Sequence, residues 1–445
     1  MRAELAAIVG AEHVLPGDTA EYLHDSTDTR GVRGHADAVV LPGSAEEVGG
    51  VLAWCYERDV AITPRGGGTG YAGGAVPFGG IVLSLERLTR VRSFDPLLWR
   101  IEVEAGVPTG EVHRLARESG LMFPPDPGGA EQSQIGGNIA TNAGGPHAFK
   151  YGVTGKWVTG LEAALPPGEL VRTGGPLRKN VASYDLKSLL VGSEGTLGIV
   201  TAAWLRLLPA PEAAHPVASF YPDTEAGCEA ILRVVGSGLE AAALEYLDAG
   251  ALAAAGASYT GGIPAEAGFM VIAEADGTRE EAARLRDELL AVLSEGALAA
   301  EAPRPTELWR WRHGLVFAII AQRGGKIGED IAVPLDRLAE AIEESLAIGR
   351  RHGLPATSWG HAGDGNLHTN YLISLEDPDE LARAERAAEE LMELALRLGG
   401  SVSGEHGLGL LKRGHAGWSP RVAALQRAIK DAFDPKGLLN PGKKI

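Results

Sequence analysis

Two short stretches in the second half of the chain carry side chains able to do chemistry together. GHAGDGNLH (360–368) and SGEHGLG (403–409) supply His361, His368, Glu405 and His406. Two imidazoles and a carboxylate suit Zn²⁺ with an open catalytic position, and Mn²⁺ or Fe²⁺ accept the same donors. The glycines and Asp364 speak against a helix here, so the sequence predicts a tight loop that aims both imidazoles inward. The bland alternative is a pair of satisfied loop histidines in a chain that has 12. His406, beside a would-be ligand, is the natural general base, because imidazole titrates nearest neutral pH and a neighbouring cation keeps the proton off it. Its alternative is a residue that merely orients the metal.

Glycine dominates what must position these groups. The chain has 61 glycines in 445 residues, nearly double the average of about 7%. They cluster at 66–80, 128–145, 192–198 and 360–365, with a smaller group at 404–409. Clustered glycine means close backbone approach or positive φ. In VAITPRGGGTGYAGGAVPFGGIVLSL, residues 60–63 and 81–85 read as strands around a loop with eight glycines in fifteen positions. Gly68, Gly70 and Gly73 match G-x-G-x-x-G, but that fingerprint must open a helix, and Pro77, Gly79 and Gly80 forbid one. A strand–loop–strand with free amides still makes an anion cradle. A phosphate-binding GxxxxGK[ST] is missing, since the stretch Gly152 to Lys156 is too short for it and Trp157 follows. PPDPGGAEQSQIGGNIATNAGG brings prolines, small residues and amide side chains that suit the edge of a heteroaromatic ring. LVGSEGTLGIVTAAWLRL leads from Gly195 and Gly198 into an alternating strand. Three such loops in the first 200 residues fit a large cofactor threaded through the N-terminal half.

Composition sets the bounds. Forty-one basic against 58 acidic residues give −17, which argues against nucleic acid or an anionic membrane as main partner. No apolar run approaches the ~18 residues a membrane helix needs; 241–262 is broken by Glu245, Asp248 and glycines. Glu4 and Glu12 stand where a signal peptide would need an apolar core. Cys55 and Cys228 form no CxxC pair and read as small buried residues. These features predict a cytoplasmic protein, peripheral to the inner membrane only through a partner.

PRGGGTG, PPDP…IGGNIATNAGG and GSEGTLGIVT together resemble the FAD-binding domain of vanillyl-alcohol-oxidase-type flavoproteins. From about residue 35 to the end the chain resembles the FAD-linked D-2-hydroxyacid dehydrogenases: the glycolate oxidase large subunit, D-lactate dehydrogenase and D-2-hydroxyglutarate dehydrogenase. The resemblance implies an α+β fold, with a PCMH-type FAD-binding domain of two α+β subdomains and a helix-covered antiparallel-sheet cap. Arg65, Gly66, Gly67, Gly68, Thr69 and Gly70 would then hold the FAD pyrophosphate, mostly through backbone amides. Pro125, Asp126, Ser133, Gly136, Gly137, Asn138 and Asn142 would line the cofactor, Glu194, Gly195 and Ile199 would lie along its adenosine half, and Asn440 would touch it. Relatives with covalent FAD use a histidine inside the first loop; Thr69 or a neighbour stands there, which implies non-covalent FAD. The shared HxGDGNxH and GEH pattern implies His361, His368 and Glu405 as metal ligands.

A mechanism follows from that resemblance. A small D-2-hydroxy acid chelates the metal, His406 takes the hydroxyl proton, and the α-hydrogen leaves as hydride to the flavin. Arg312, in ELWRWRHGL, matches the arginine that grips the substrate carboxylate in similar enzymes. Lys326 is a second candidate cation, although its spacing from Asp330 departs from the hydroxyglutarate enzymes and a plain surface lysine is an open alternative. Family likeness further implies a homodimer and an electron acceptor such as an iron–sulfur or second flavin subunit. Rival readings are another alcohol or sugar-acid oxidase of the same fold, a metallohydrolase on a degenerate flavin fold, and a non-catalytic flavin subunit.

The segments expected around these motifs are an N-terminal helical stretch (1–34), the FAD domain (35–210), the cap (211–410) and a helical return (411–445). PAPEAAHP marks the main boundary. Ser44 with Glu47 predicts a capped helix to about Arg58. Periodicity predicts longer helices over 279–295, 335–352 and 378–398.

Overall fold

The computed structural model describes all 445 residues, Met1–Ile445. Contacts divide the chain into two units: Met1–Gly144 with Val153–Ala210 and Glu405–Ile445, and Gly145–Gly152 with Pro211–Gly404. The division after Ala210 falls in the proline-rich stretch. The residues 1–34 belong to the first unit, the chain returns there at Glu405, and 145–152 belong to the second.

The first unit holds two main sheets. One runs Val14–Pro16, Ala38–Val40, Ile81–Ser84, Ile62–Arg65, the last three strands parallel. Parallel strands are covered on both faces and read as unbroken apolar runs, and Ala38–Val40 and Ile81–Ser84 are buried throughout. Helix Ala45–Glu57 packs Val48, Val51, Leu52 and Cys55 against them. Ser44 caps that helix by accepting from Glu47 N, while Glu47 reaches back to Gly43 N. No helix forms between Arg65 and Ile81, so the dinucleotide fingerprint is indeed only a string match. The second sheet is antiparallel: Val91–Asp95, Arg100–Glu104, Ile199–Arg206, Val158–Leu165, Glu169–Gly174. Ile199–Arg206 is buried at almost every position rather than alternating.

The second unit is a seven-stranded antiparallel sheet in the order Ala299–Glu301, Ala213–Tyr221, Phe269–Gly277, Ala243–Asp248, Ala356–His361, Asn366–Ile373, Gly325–Ala332. Helices Thr224–Gly236, Arg279–Ser294, Leu338–Arg351 and Pro378–Arg397 cover one face with a single apolar core. Ala249–Ala255 and Pro305–Ala321 cover part of the other. The last of these, containing Arg312, carries no periodicity that had announced it, because its apolar residues run all round the helix. Cys55 and Cys228 are both buried free thiols, and burial pushes each up to about 12. No helix is long and apolar enough to cross a membrane.

Candidate active site

The two histidines stand on paired strands, which corrects the expected loop. His361 ends Ala356–His361, a short turn follows at Ala362–Asp364, and His368 lies within Asn366–Ile373. Asp364 and the glycines stop a helix only over that turn. Gly365 has φ +67°, and Gly363 is packed so tightly that a Cβ would stand 2.4 Å from the Phe149 ring. The register pairs Trp359 with His368 and His361 with Asn366. Paired residues point to one side of a sheet, so both imidazoles share a face, their Nε2 atoms 3.3 Å apart.

The neighbouring strand places Glu245 opposite His361. Its fully buried carboxylate accepts from His361 Nδ1 and from Arg312 Nη2. Burial raises the Glu245 carboxyl, but His361 and Arg312 outweigh it and bring it down to about 2. With Nδ1–H directed at Glu245, His361 turns its Nε2 lone pair toward His368, the outer-shell arrangement usual for metal-bound histidine. In the sequence Glu245 reads only as an interruption of an apolar run. A carboxylate inside ALEYLD, where both faces are covered, was the available signal.

Glu405 follows Gly404, where the second unit ends, and opens the last stretch of the first. Gly404 N donates to Asp330 Oδ2 at 2.8 Å and Ser403 Oγ donates to the same carboxylate. Two nitrogens at 3.3 Å match two corners of a tetrahedron with bonds of about 2.0–2.1 Å, so the two histidines fit a divalent cation.

The remaining candidates divide. Arg312 is 8% exposed and its Nε is buried with no hydrogen-bond partner. Lys326 is half-buried rather than a plain surface lysine: Nζ donates to Asn370 Oδ1 and lies 5.7 Å from the centroid of the Trp359 ring. His406 rests on the Tyr71 ring, centroids 4.8 Å apart, with Nε2 3.9 Å from Glu405 Oε1.

In the first unit, glycines make the space. A Cβ at Gly67 would stand 2.2 Å from the Gln132 carbonyl oxygen, and Gly68 has φ +67°. Gly66, Thr69 and Gly70 complete this loop. The Arg65 guanidinium is turned away to the carbonyls of Glu21 and His24, at 2.9 and 2.7 Å. Pro125 offers its carbonyl to His113 Nε2, and Asp126 is half-buried beside it. Gly136, Gly137 and Asn138 lie on a short helix, Ile135–Thr141, in a stretch whose glycines announce no helix. Ser133 Oγ and Asn138 Nδ2 both bond Thr109 Oγ1, and Asn142 accepts from Gly155 N at φ +56°. Gly136 packs on Ala105, whereas a Cβ at Gly137 would meet nothing within 4 Å.

Three expected flavin contacts have other employment for their side chains. Glu194 accepts from backbone amides of the chain itself, and Gly195 beside it packs on Pro64. Ile199 is 1% exposed in the core, and Asn440 Nδ2 donates to the carbonyls of Gly74 and Glu194. Sequence reading missed Asp25 and Gln134, whose Oδ2 and Oε1 are buried without a hydrogen-bond partner. Both face the glycine loop, 3.8 Å from a Cβ at Gly70 and 3.5 Å from one at Gly66. It also missed Lys443, 2% exposed, which burial lowers to about 8. Orphaned polar atoms around an open, glycine-lined space fit a large polar cofactor such as FAD.

Two family models match the chain: the FAD binding domain over residues 36–174 and the C-terminal domain of FAD linked oxidases over 210–444. A glycolate oxidase subunit GlcD from Bacillus subtilis is 34% identical over 100% of this chain and 96% of its own. A D-2-hydroxyglutarate dehydrogenase from Xanthomonas citri is 36% identical over 96% and 93%, and a D-lactate dehydrogenase from Archaeoglobus fulgidus 36% over 92% and 91%. Among solved structures, p-cresol methylhydroxylase superposes with a TM-score of 0.82 at 19% identity, covering 100% of this chain and 96% of that one. A 4-ethylphenol oxidase from Gulosibacter chungangensis gives 0.80 at 21%, with the same coverage. These last two speak for the α+β, PCMH-type fold.

Proposed function

This chain belongs to the FAD-linked oxidases, and from that premise we propose that it oxidises a small D-2-hydroxy acid, of the D-lactate or glycolate class, to the 2-oxo acid. The observation that carries the reading is the pair of Nε2 atoms facing each other at 3.3 Å, backed by the buried Glu245–Arg312 pair and followed by Glu405. Full-length relatives named for glycolate, D-lactate and D-2-hydroxyglutarate support the substrate class.

When bound, FAD accepts the two electrons of the oxidation and a divalent ion, zinc with manganese or iron as alternatives, polarises the substrate hydroxyl. His361, His368 and Glu405 hold that ion, and Glu245 keeps His361 in the ligating tautomer. Arg312, with an unused donor at Nε, takes the substrate carboxylate. His406 takes the hydroxyl proton. Lys326 offers a second cation further along the same sheet face. The glycine loop of 66–70, with Asp25 and Gln134 beside it, holds FAD non-covalently, Thr69 standing where covalent relatives have histidine. A homodimer in the cytoplasm that passes electrons to an iron–sulfur or second flavin subunit completes the reading.

The test is the visible spectrum of the purified protein, followed without oxygen as D-lactate, glycolate and D-2-hydroxyglutarate are added in turn. Flavin absorbance should bleach with D-lactate or glycolate and should fail to bleach after chelator treatment. Bleaching by D-2-hydroxyglutarate alone would move the substrate class to a diacid and give Lys326 the second carboxylate. A yellow protein that none of the three reduces would overturn the reading.

A further inference from the structure

Two motifs 214 residues apart in the chain meet at a single carboxylate. Glu194, from GSEGTLG, accepts from Leu408 N at 3.0 Å and from Gly409 N at 2.7 Å, with Lys444 Nζ at 3.1 Å. Successive amides that converge on one anion form a nest, and here a side chain of the same chain fills it. Gly407 and Gly409 have φ of +82° and +48°, which turns those amides to one side. Glu194 holds φ +55°, rare for a residue with a Cβ, and such a backbone persists where its surroundings over-determine it. Asn440 Nδ2 grips the Glu194 carbonyl at 2.8 Å. The same loop is fixed from behind, since Leu410 N donates to Ala72 O and Lys444 N to Gly409 O. Both Glu194 oxygens are thus engaged two to three residues beyond His406.

We propose that Glu194 is a positioning residue for His406: its carboxylate latches the 405–409 loop and so holds the imidazole where a proton must be taken. This rests on the reading of His406 as the base. A displacement of about 1 Å can cost on the order of 100-fold in rate, so a side chain that never touches substrate can still set kcat. Glu194→Gln would face an amide N–H with its own NH₂ and break half of the nest.

The experiment compares wild type, Glu194→Gln, His406→Asn and the double variant in anaerobic single-turnover flavin reduction, alongside hydrogen exchange of the backbone. Glu194→Gln should keep its FAD and its KM while the rate of flavin reduction falls by about 10–100-fold. In the His406→Asn background the same change should do almost nothing, because coupled residues are not additive. Amides of 405–409 should exchange at least ~10-fold faster, with the rest of the chain unchanged. If Glu194→Gln does not fold, Gly407→Ala presses on the same contact, its methyl standing 3.0 Å from the Glu194 carboxyl group, and should give the same split. An unchanged rate, loss of FAD as the sole defect, or full additivity with His406→Asn would each overturn the latch. If wild type reduces with no hydroxy acid, the functional reading has failed, and exchange at 405–409 alone decides the latch.

Discussion

The glycine loop after Ile62–Arg65 and the hairpin joining Ala356–His361 to Asn366–Ile373 are built on opposite plans. In the loop the side chains are missing and the backbone does the work: Gly67 and Gly68 exist because a Cβ would strike a carbonyl or strain φ. In the hairpin the backbone is ordinary antiparallel sheet, and the work is done by imidazoles that the register puts on one face. The first is damaged by adding an atom and the second by removing one. Each plan also fails through its own ligand, so the two can be separated by what the damaged protein still binds.

The largest effect should come from His361→Ala. On the proposed reading it removes a metal ligand outright, so the loss in kcat should exceed the ~10–100-fold expected when only a ligand's supporting partner is lost. Metal analysis should show the ion gone while the flavin spectrum stays intact; loss of both together would collapse the distinction between the two plans.

A middle-sized effect belongs to the charge buried behind the hairpin. Asp248 is 2% exposed, and burial raises its carboxyl to about 6 against hydrogen bonds from Thr357, Ala251 and Ser358. The folded chain therefore binds that proton more tightly than the unfolded one, so its stabilisation is full below about pH 4 and is lost as pH rises through 6. The stability of wild type minus that of Asp248→Asn should drop by about 2–3 kcal/mol between pH 4 and pH 7. Denaturant titrations across that range check it, and a flat difference would refute it.

Smallest in stability, but sharpest in sign, is Gly137→Ala. The position is helical with nothing within 4 Å of its Cβ, so alanine should stabilise the chain by about 0.5–1 kcal/mol. If that open space is where FAD lies, the same methyl should weaken FAD binding and leave metal content alone. Unchanged FAD affinity would take Gly137 off the cofactor wall.

What could be read from the sequence follows the same divide. Glycine-rich loops announce themselves by composition, and the loop ends at 62–65 and 81–84 fell within two residues of the expected strands. Helices with polar faces were equally legible, as Arg279–Ser294 and Pro378–Arg397 show. Pro305–Ala321 was not, because a helix apolar all round has no stripe to detect. Nor was the seating of the histidines: glycine near His361 signals a turn but does not say that paired strands enter and leave it. Asp25 and Gln134 escaped notice because nothing in their local sequence distinguishes a buried carboxylate or amide from a surface one, whereas Glu245, set inside the apolar ALEYLD, reads only as a break in that run. Glu194 was visible as part of a motif, yet its partners lie 214 and 215 residues away, and spacing alone cannot report them.

The eight residues Gly145–Gly152 interrupt the first unit's sequence but belong to the second. His147 meets Glu274, and Lys150 and Tyr151 meet Asp276, two nearly buried carboxylates on the large sheet. A gene cut at residue 210 would therefore yield a C-terminal half in which Asp276 has lost Lys150 and Tyr151 and Glu274 has lost His147 and keeps Trp309. The chain reads as two domains in series, but it is not a modular pair that could be recombined at the seam. The large sheet draws part of its charge balance from a small insert encoded on the other side of the boundary.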